Sequence, residues 1–296
     1  NINLHNVATG TGQSYTAGNN ILLNSTYTTN SGPINFAGNT ILNSDTTVNQ
    51  NGTGNLDDVS FGGTVTVIGG NWDLDVNVAN GAGDVDFLGQ VGGAAAAQRL
   101  DDFTVDGNVT TLNGAVYADD MVLHGTSASD TLSINGMLDA NNQIVIGANN
   151  VTDRIESVNI AGVDLVSGTG VLFEGVAGGG TDVNVNLTAG PVTIDGGTGI
   201  IAGPEAALNA GAFGIALLSD GGVTLGAISG TGPLGLGPSS PGRGIDVGDT
   251  NGTSAAVDGT PPVGWYRVPA ATLLGISGFS NVQIGSPTAS DVVVAQ

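Results

Sequence analysis

Three acidic pairs, Asp57–Asp58, Asp101–Asp102 and Asp119–Asp120, are the residues whose type and spacing come closest to reaction machinery. Hydrolysis of a glycosidic bond needs two carboxylates about 5–10 Å apart across a groove, one to protonate the leaving oxygen and one to attack or to activate water. A polysaccharide-active enzyme is therefore the catalytic alternative, and it requires those pairs to converge. A lyase would need a base beside the acids, and the four basic residues, Arg99, Arg154, Arg243 and Arg267, are scattered. His5 and His124 have no metal-ligand spacing to other ligating residues. No Gly-rich run leads to Gly-Lys-Ser/Thr, and no Ser has a partner set for nucleophilic attack. Turn-forming and solvent-facing roles account for the aspartates, because Asp readily bonds its own backbone at turns. The expectation is a chain that is not an enzyme.

Calcium is the one cofactor the sequence raises. The stretch "DVGDTNGTSAAVDG" (246–259) offers Asp246, Asp249, Asn251 and Asp258 around a glycine, but lacks the closing Glu of an EF-hand loop. "GAGDVDFLG" (81–89) puts Val85 where a calcium-binding nonapeptide has its ligand Asp. Ordinary loop polarity explains both. "GWYRVP" (264–269) gathers Trp265, Tyr266 and Arg267 in a chain with only 4% aromatic residues. Exposed, the three would form a contact cluster for a protein or glycan; folded back, they would cap a patch of core.

The charge balance narrows the partners. Asp and Glu number 26 against four Arg and no Lys, a net charge of -22. Nucleic-acid binding rests on clustered Lys and Arg, and so does attraction to anionic membranes; neither partner fits. No run of 18 apolar residues crosses the chain, so membrane insertion is not expected. The remaining partners are copies or neighbouring repeats of the chain itself, and glycans or proteins of a host, a neighbouring cell or a matrix. There is no Cys, and a long solenoid does not need disulfides because each coil is held by its neighbours. The sequence starts and stops inside strand-like patterning, as a segment of a longer polypeptide would.

The elements that must position these residues are announced by a repeated phrase. "INFAG" (34–38), "VSFGG" (59–63), "VDFLG" (85–89), "TTLNG" (110–114), "LSING" (132–136) and "VNIAG" (158–162) share one shape. Their glycines, Gly38, Gly63, Gly89, Gly114, Gly136 and Gly162, are 25, 26, 25, 22 and 26 residues apart. Self-similarity at that period signals stacked repeats. Short runs alternating Val, Ile or Leu with polar residues, such as "TVTVI" (64–68) and "DVNVNL" (182–187), read as strands. Together they predict an all-β parallel β-helix with about 22–26 residues per coil. A β-sandwich array is the alternative, disfavoured because its repeat would be near 100 residues. Phe36, Phe61, Phe87, Leu112, Ile134 and Ile160 should form one interior ladder, with the glycines turning corners or taking positive φ. Stacked Asn residues should add hydrogen bonds along the axis. The expected organisation is a solenoid over 1–231, a Pro/Gly-rich loop projecting over 232–269 and a solenoid continuation over 270–296. "GGAAAAQRLDD" (92–102) reads as an insertion, and "GPEAALNAGAFGIALLS" (203–219) as a short helix weakened by its internal glycines.

The phrases "QSYTAGNNILLNSTYTT", "GDVDFLGQVGG", "VTTLNGAVYADDMVLHG" and "GFSNVQIG" resemble the repeats of large filamentous-haemagglutinin-like bacterial surface proteins. The resemblance is spread over most of residues 11–290 outside the proline-rich stretch. It implies a right-handed parallel β-helix, exported through the outer membrane and displayed outside the cell or on its surface. It also implies a structural and adhesive function in adhesion, aggregation or matrix formation. A self-assembling filament or sheath subunit is the second reading, and the polysaccharide-active enzyme the third.

Overall fold

A computed structural model describes residues 1–78, 83–127, 130–147, 155–174, 183–202, 206–247, 265–285 and the backbone of 292–294. The chain forms stacked parallel coils, a β-solenoid with almost no helix. It comprises two compact units: Asn1–Asn141 with Val145–Asn159, and Asn142–Ile144 with Ile160–Gln296.

In the first unit each coil has three faces. The repeated phrase makes the first, as the strands Gln13–Tyr15, Ile34–Phe36, Val59–Phe61, Asp84–Phe87, Val109–Leu112 and Asp130–Ile134. Each pairs in parallel with the next without a change of register. The second and third faces are joined because long strands bend across the corner between them. Residues 40–42 of the strand Asn39–Gln50 pair with Val65–Val67, while residues 46–50 pair with Leu74–Val78.

Parallel pairing in register puts like residues directly above one another, so the alternating pattern becomes columns. Phe36, Phe61, Phe87, Leu112 and Ile134 are all buried, as is Ile160 in the second unit. The rings stack: Tyr15 on Phe36 at 5.5 Å, Phe36 on Phe61 at 4.9 Å and Phe61 on Phe87 at 4.7 Å, the last pair nearly coplanar at 4°. Such pairs contribute about 0.5–1.5 kcal/mol beyond their burial. Outward positions form polar columns. Asn24 Nδ2 donates to Asn3 Oδ1 at 2.7 Å, Asn43 Nδ2 to Asn24 Oδ1 at 2.8 Å and Asn135 Nδ2 to Asn113 Oδ1 at 2.9 Å.

The phrase glycines owe their identity mainly to the coil beneath. Only Gly162 has a positive φ, +67°. A Cβ on Gly63 would lie 2.7 Å from the Gly38 carbonyl carbon, and one on Gly89 2.6 Å from Gly63 O; Gly114 and Gly136 are packed still more closely on Gly89 and Gly114. Glycine is required there because successive backbones cross at contact distance.

The 92–102 insertion contains a short 3-10 turn, Ala96–Gln98, and delivers Arg99 into the structure. Its side chain is 4% exposed and spans two further coils. Arg99 donates to Ala118 O at 3.2 and 2.9 Å, to Asp139 Oδ1 at 2.8 Å and to Asp139 O, with Asp119 at 3.7 Å and the Tyr117 ring at 5.8 Å.

The second unit keeps three faces with more aliphatic, glycine-rich coils. Its first face runs Val183–Leu187, Ala206–Asn209, Ala227–Ser229 and Ile276–Ser277; its second runs Val192–Asp195, Ile215–Leu218, Pro233–Gly237 and Asn281–Ile284. The 203–219 stretch is thus not helical where described: Ala206–Asn209 and Ile215–Leu218 are strands, because each finds a parallel partner that outweighs the helix preference of Ala and Leu. The only α-helix among the described residues is the single turn Ala270–Leu274.

The 232–269 stretch does not leave the solenoid as one loop. Pro233–Gly237 is a rung of the second face, and Ile245–Val247 and Tyr266–Val268 form a three-stranded parallel sheet with Val292–Val294. Pro233 is tolerated because a strand's first residue can lack an N–H. On the third face, Ile200–Ala202 pairs with Val223–Thr224. Next comes not Ile245–Val247 but the later segment Tyr266–Val268, whose Arg267 backbone lies against Gly222. A strand from further along the chain is thereby wedged between two earlier ones.

Candidate functional site

Two of the three acidic pairs meet, Asp102 being the register partner of Asp120 on the neighbouring strand, whereas Asp57 and Asp58 are taken up by backbone amides elsewhere on the coil. Asp57 is buried and closes a turn, accepting the Gly32 amide and, at 2.6 Å, the Gly54 amide; Asp58 Oδ1 accepts the Asp84 amide at 3.0 Å. Asp119 faces Arg99 and accepts a hydrogen bond from Asn141. Asp102 belongs to an axial column: its amide donates to Asp73 Oδ1 at 3.2 Å, as the Asp73 amide does to Asp45 Oδ1 at 3.2 Å. Partial burial pushes Asp73 and Asp102 above the usual carboxylate range, and their like-charged neighbours push them further. Asp75 and Asp84 are raised for the same two reasons in the same order. The column thus concentrates negative charge on the outside of the first unit. His5 is exposed, and His124 Nδ1 lies 3.5 Å from Asp106 Oδ1. Among the described residues no three His, Asp or Glu side chains are grouped as a metal ion would need.

The most site-like feature lies on the third face of the second unit. A cavity of about 400 Å³ is lined by Thr198, Ile201, Thr224, Asp246, Arg267 and Pro269, among others. Strand alternation explains the set. Ile200 and Ala202, Val223, Tyr266 and Val268, and Ile245 and Val247 are buried, so the residues between or beside them face the opposite way. Ile201 is the register partner of Thr224, and Arg267 that of Asp246. Between those pairs no backbone ladder joins Val223–Thr224 to Tyr266–Val268 among the described residues, and the cavity occupies that seam.

Two separate sequence candidates therefore meet here. Asp246, first of the four oxygen ligands considered for calcium, is 1% exposed; Asp249, Asn251 and Asp258 lie outside the described residues. In the aromatic cluster only Arg267 lines the cavity. Tyr266 points inward, fully buried, with its hydroxyl donating to Leu217 O at 3.4 Å, and burial drives its phenol far above the ordinary value. Trp265 is half-buried against Gly244. Hence the three residues do not present one exposed face.

Sequence reasoning missed Thr198, Ile201 and Thr224. A signal for them exists: "DGG" occurs at 195–197 and again at 220–222, one coil later, and leads each time into a third-face strand. Those aspartates also anchor the next turn, Asp195 accepting from Ser239, and Asp220 from the Ser240 amide at 2.8 Å and Arg243 at 3.0 Å. No family model, no curated protein and no solved structure matches the chain.

Proposed function

We propose that the chain is a structural and adhesive segment of a large extracellular fibrous bacterial protein, displayed on the cell surface or released from it. The observation that carries this reading is the unbroken register of the first unit's first face, where six strands stack in order and the inward column from Tyr15 to Ile134 is continuous. Coils built that way are stiffened along the axis by ring stacking and by Asn columns, while their outward positions are free to vary. Length and stiffness then come from repetition, and contacts come from outward side chains. The acidic exterior suits a fibre that must remain dispersed, since like charges keep side surfaces apart until salt screens them.

Two measurements test the reading. Electron microscopy of the purified chain, in calcium and in chelator, should show short isolated rods in both. Beads coated with the chain should adhere to host or bacterial cells above albumin-coated beads. Regular filaments that dissolve on chelation would replace the stalk with a calcium-joined polymer, and beads that bind nothing would remove the adhesive part.

A further inference from the structure

We infer that the seam cavity of the second unit is a binding site for a carboxylated sugar, a uronate or sialate unit, with the Arg267 guanidinium as its anchor. The inference rests on the adhesive reading and gives it a ligand class. Among the described residues, Arg99 is paired with Asp139 and Asp119 and Arg243 with Asp220, whereas no ion pair or hydrogen bond engages the Arg267 side chain. Arg267 is half-buried as a residue, and its guanidinium, with five donors in a planar fork, matches a carboxylate in two parallel hydrogen bonds.

Size and lining fit a sugar. A cavity of about 400 Å³ lies within the range of small-molecule sites. Exposed Thr224 brings a hydroxyl that can accept from and donate to sugar hydroxyls, and exposed Thr198 one that can accept. Thr198 already donates to Thr169 O, so its oxygen keeps acceptor capacity. Ile201, 51% exposed, and Pro269 supply apolar surface for the C–H face of a pyranose ring. Asp246, in register with Arg267 on the neighbouring strand and 1% exposed, puts a carboxylate on the same lining, whose repulsion of the sugar's own carboxylate the two-bond contact to Arg267 has to outweigh. The chain's net charge of -22 repels an anion at long range, but this is screened beyond about 8 Å at physiological salt, and the contact at Arg267 is local.

The test titrates the full chain with D-glucuronate, N-acetylneuraminate and, as a neutral ring of similar shape, D-glucose, by calorimetry and saturation-transfer NMR. One or both acids should bind, glucose should bind far more weakly, and the acid that binds identifies the source. In Arg267→Gln the acid's affinity should fall roughly tenfold, the loss of a charge-assisted hydrogen bond, with Arg267→Lys in between. Equal binding of glucose and glucuronate overturns the inference, as does no binding of either acid or binding unchanged in Arg267→Gln. If Arg267→Gln does not fold, the wild-type preference for acid over glucose and its weakening by salt decide the matter. Coated beads that adhere equally well with Arg267→Lys and in excess glucuronate would sink the pocket and leave adhesion standing. Sugar binding without bead adhesion would do the reverse.

Discussion

The two units build the same kind of coil by different means. In the first, large rings stack from Tyr15 to Phe87, Arg99 ties three coils together and phrase glycines lie backbone on backbone. In the second, Val185, Leu208 and Ile228 occupy the first face, and left-handed glycines recur: eight of the twelve described glycines with positive φ belong to it. The first unit therefore gets its regularity from side chains that demand an identical neighbour, the second from corners that accept unequal lengths. That difference explains why the first unit's period is tight and why an extra strand, with a cavity beside it, could enter the second.

Each unit carries one tryptophan, Trp72 in the first and Trp265 in the second, so Trp265→Phe and Trp72→Phe backgrounds report the two separately. The largest expected effect is from Phe61→Asp, which buries an unpaired charge and interrupts the ring stack on both sides. The cooperative Trp72 transition should disappear, and an unchanged melting curve would show the stack to be dispensable. Arg99→Ala should rank second, costing about 1.5–3 kcal/mol by leaving the Ala118 carbonyl and the partly exposed Asp139 carboxylate without their charged donor, read as a lower denaturation midpoint. Gly114→Ala should cost about 1–3 kcal/mol through overpacking against Gly89, while Gly199→Ala, with open space around its position, should be nearly neutral. If both alanines cost the same, the backbone-on-backbone account of the first unit is wrong.

A smaller effect is expected from pH. Asp73, Asp75, Asp84 and Asp102 are raised, so the folded first unit holds protons more tightly than the unfolded chain. Its stability should increase as pH falls from neutral toward the ordinary carboxylate value of about 3.9 and be lost as pH rises through the raised values. The Trp72 melting temperature should be higher at mildly acidic pH than at neutral pH; a lower one would mean that ion pairing, not burial and repulsion of the carboxylates, dominates that surface. Smallest of all is Asn113→Ala, about 0.5–1 kcal/mol for one exposed link of an Asn column, measured by chemical denaturation.

The repeat was legible because it is carried by the phrase itself: a large apolar residue two positions before a glycine needs no tertiary knowledge to be recognised. The glycines' purpose was less legible. Their positions suggest corners, but at Gly63, Gly89, Gly114 and Gly136 the demand comes from the coil below, which a linear string does not display. The 203–219 reading failed for a related reason, since Ala and Leu favour helix until a parallel partner is present. The cavity was half visible. Asp246 and Arg267 stood out by type and sit on consecutive strands that pair, but that the later of the two lies against Gly222, bringing Arg267 beside Thr198, Ile201 and Thr224, depends on a strand order that runs against the sequence, whereas neighbouring elements are ordinarily assumed to pack in sequence.

That reversed order bears on how the molecule comes to be. A solenoid wound coil by coil can fold from its first residue onward, each new turn templated by the last. At Ile245–Val247 this vectorial scheme stops working, because the place directly above Val223–Thr224 belongs to Tyr266–Val268, which emerges later. The third face must wait with an unfilled slot until some twenty further residues have arrived, as the separation of Val247 and Tyr266 requires. Closing that slot is a non-local step with a loop-closure cost. Winding of the second unit is thus punctuated: the strands up to Pro233–Gly237 each find an earlier partner and can assemble as they appear, and Ile245–Val247 and Tyr266–Val268 must assemble together.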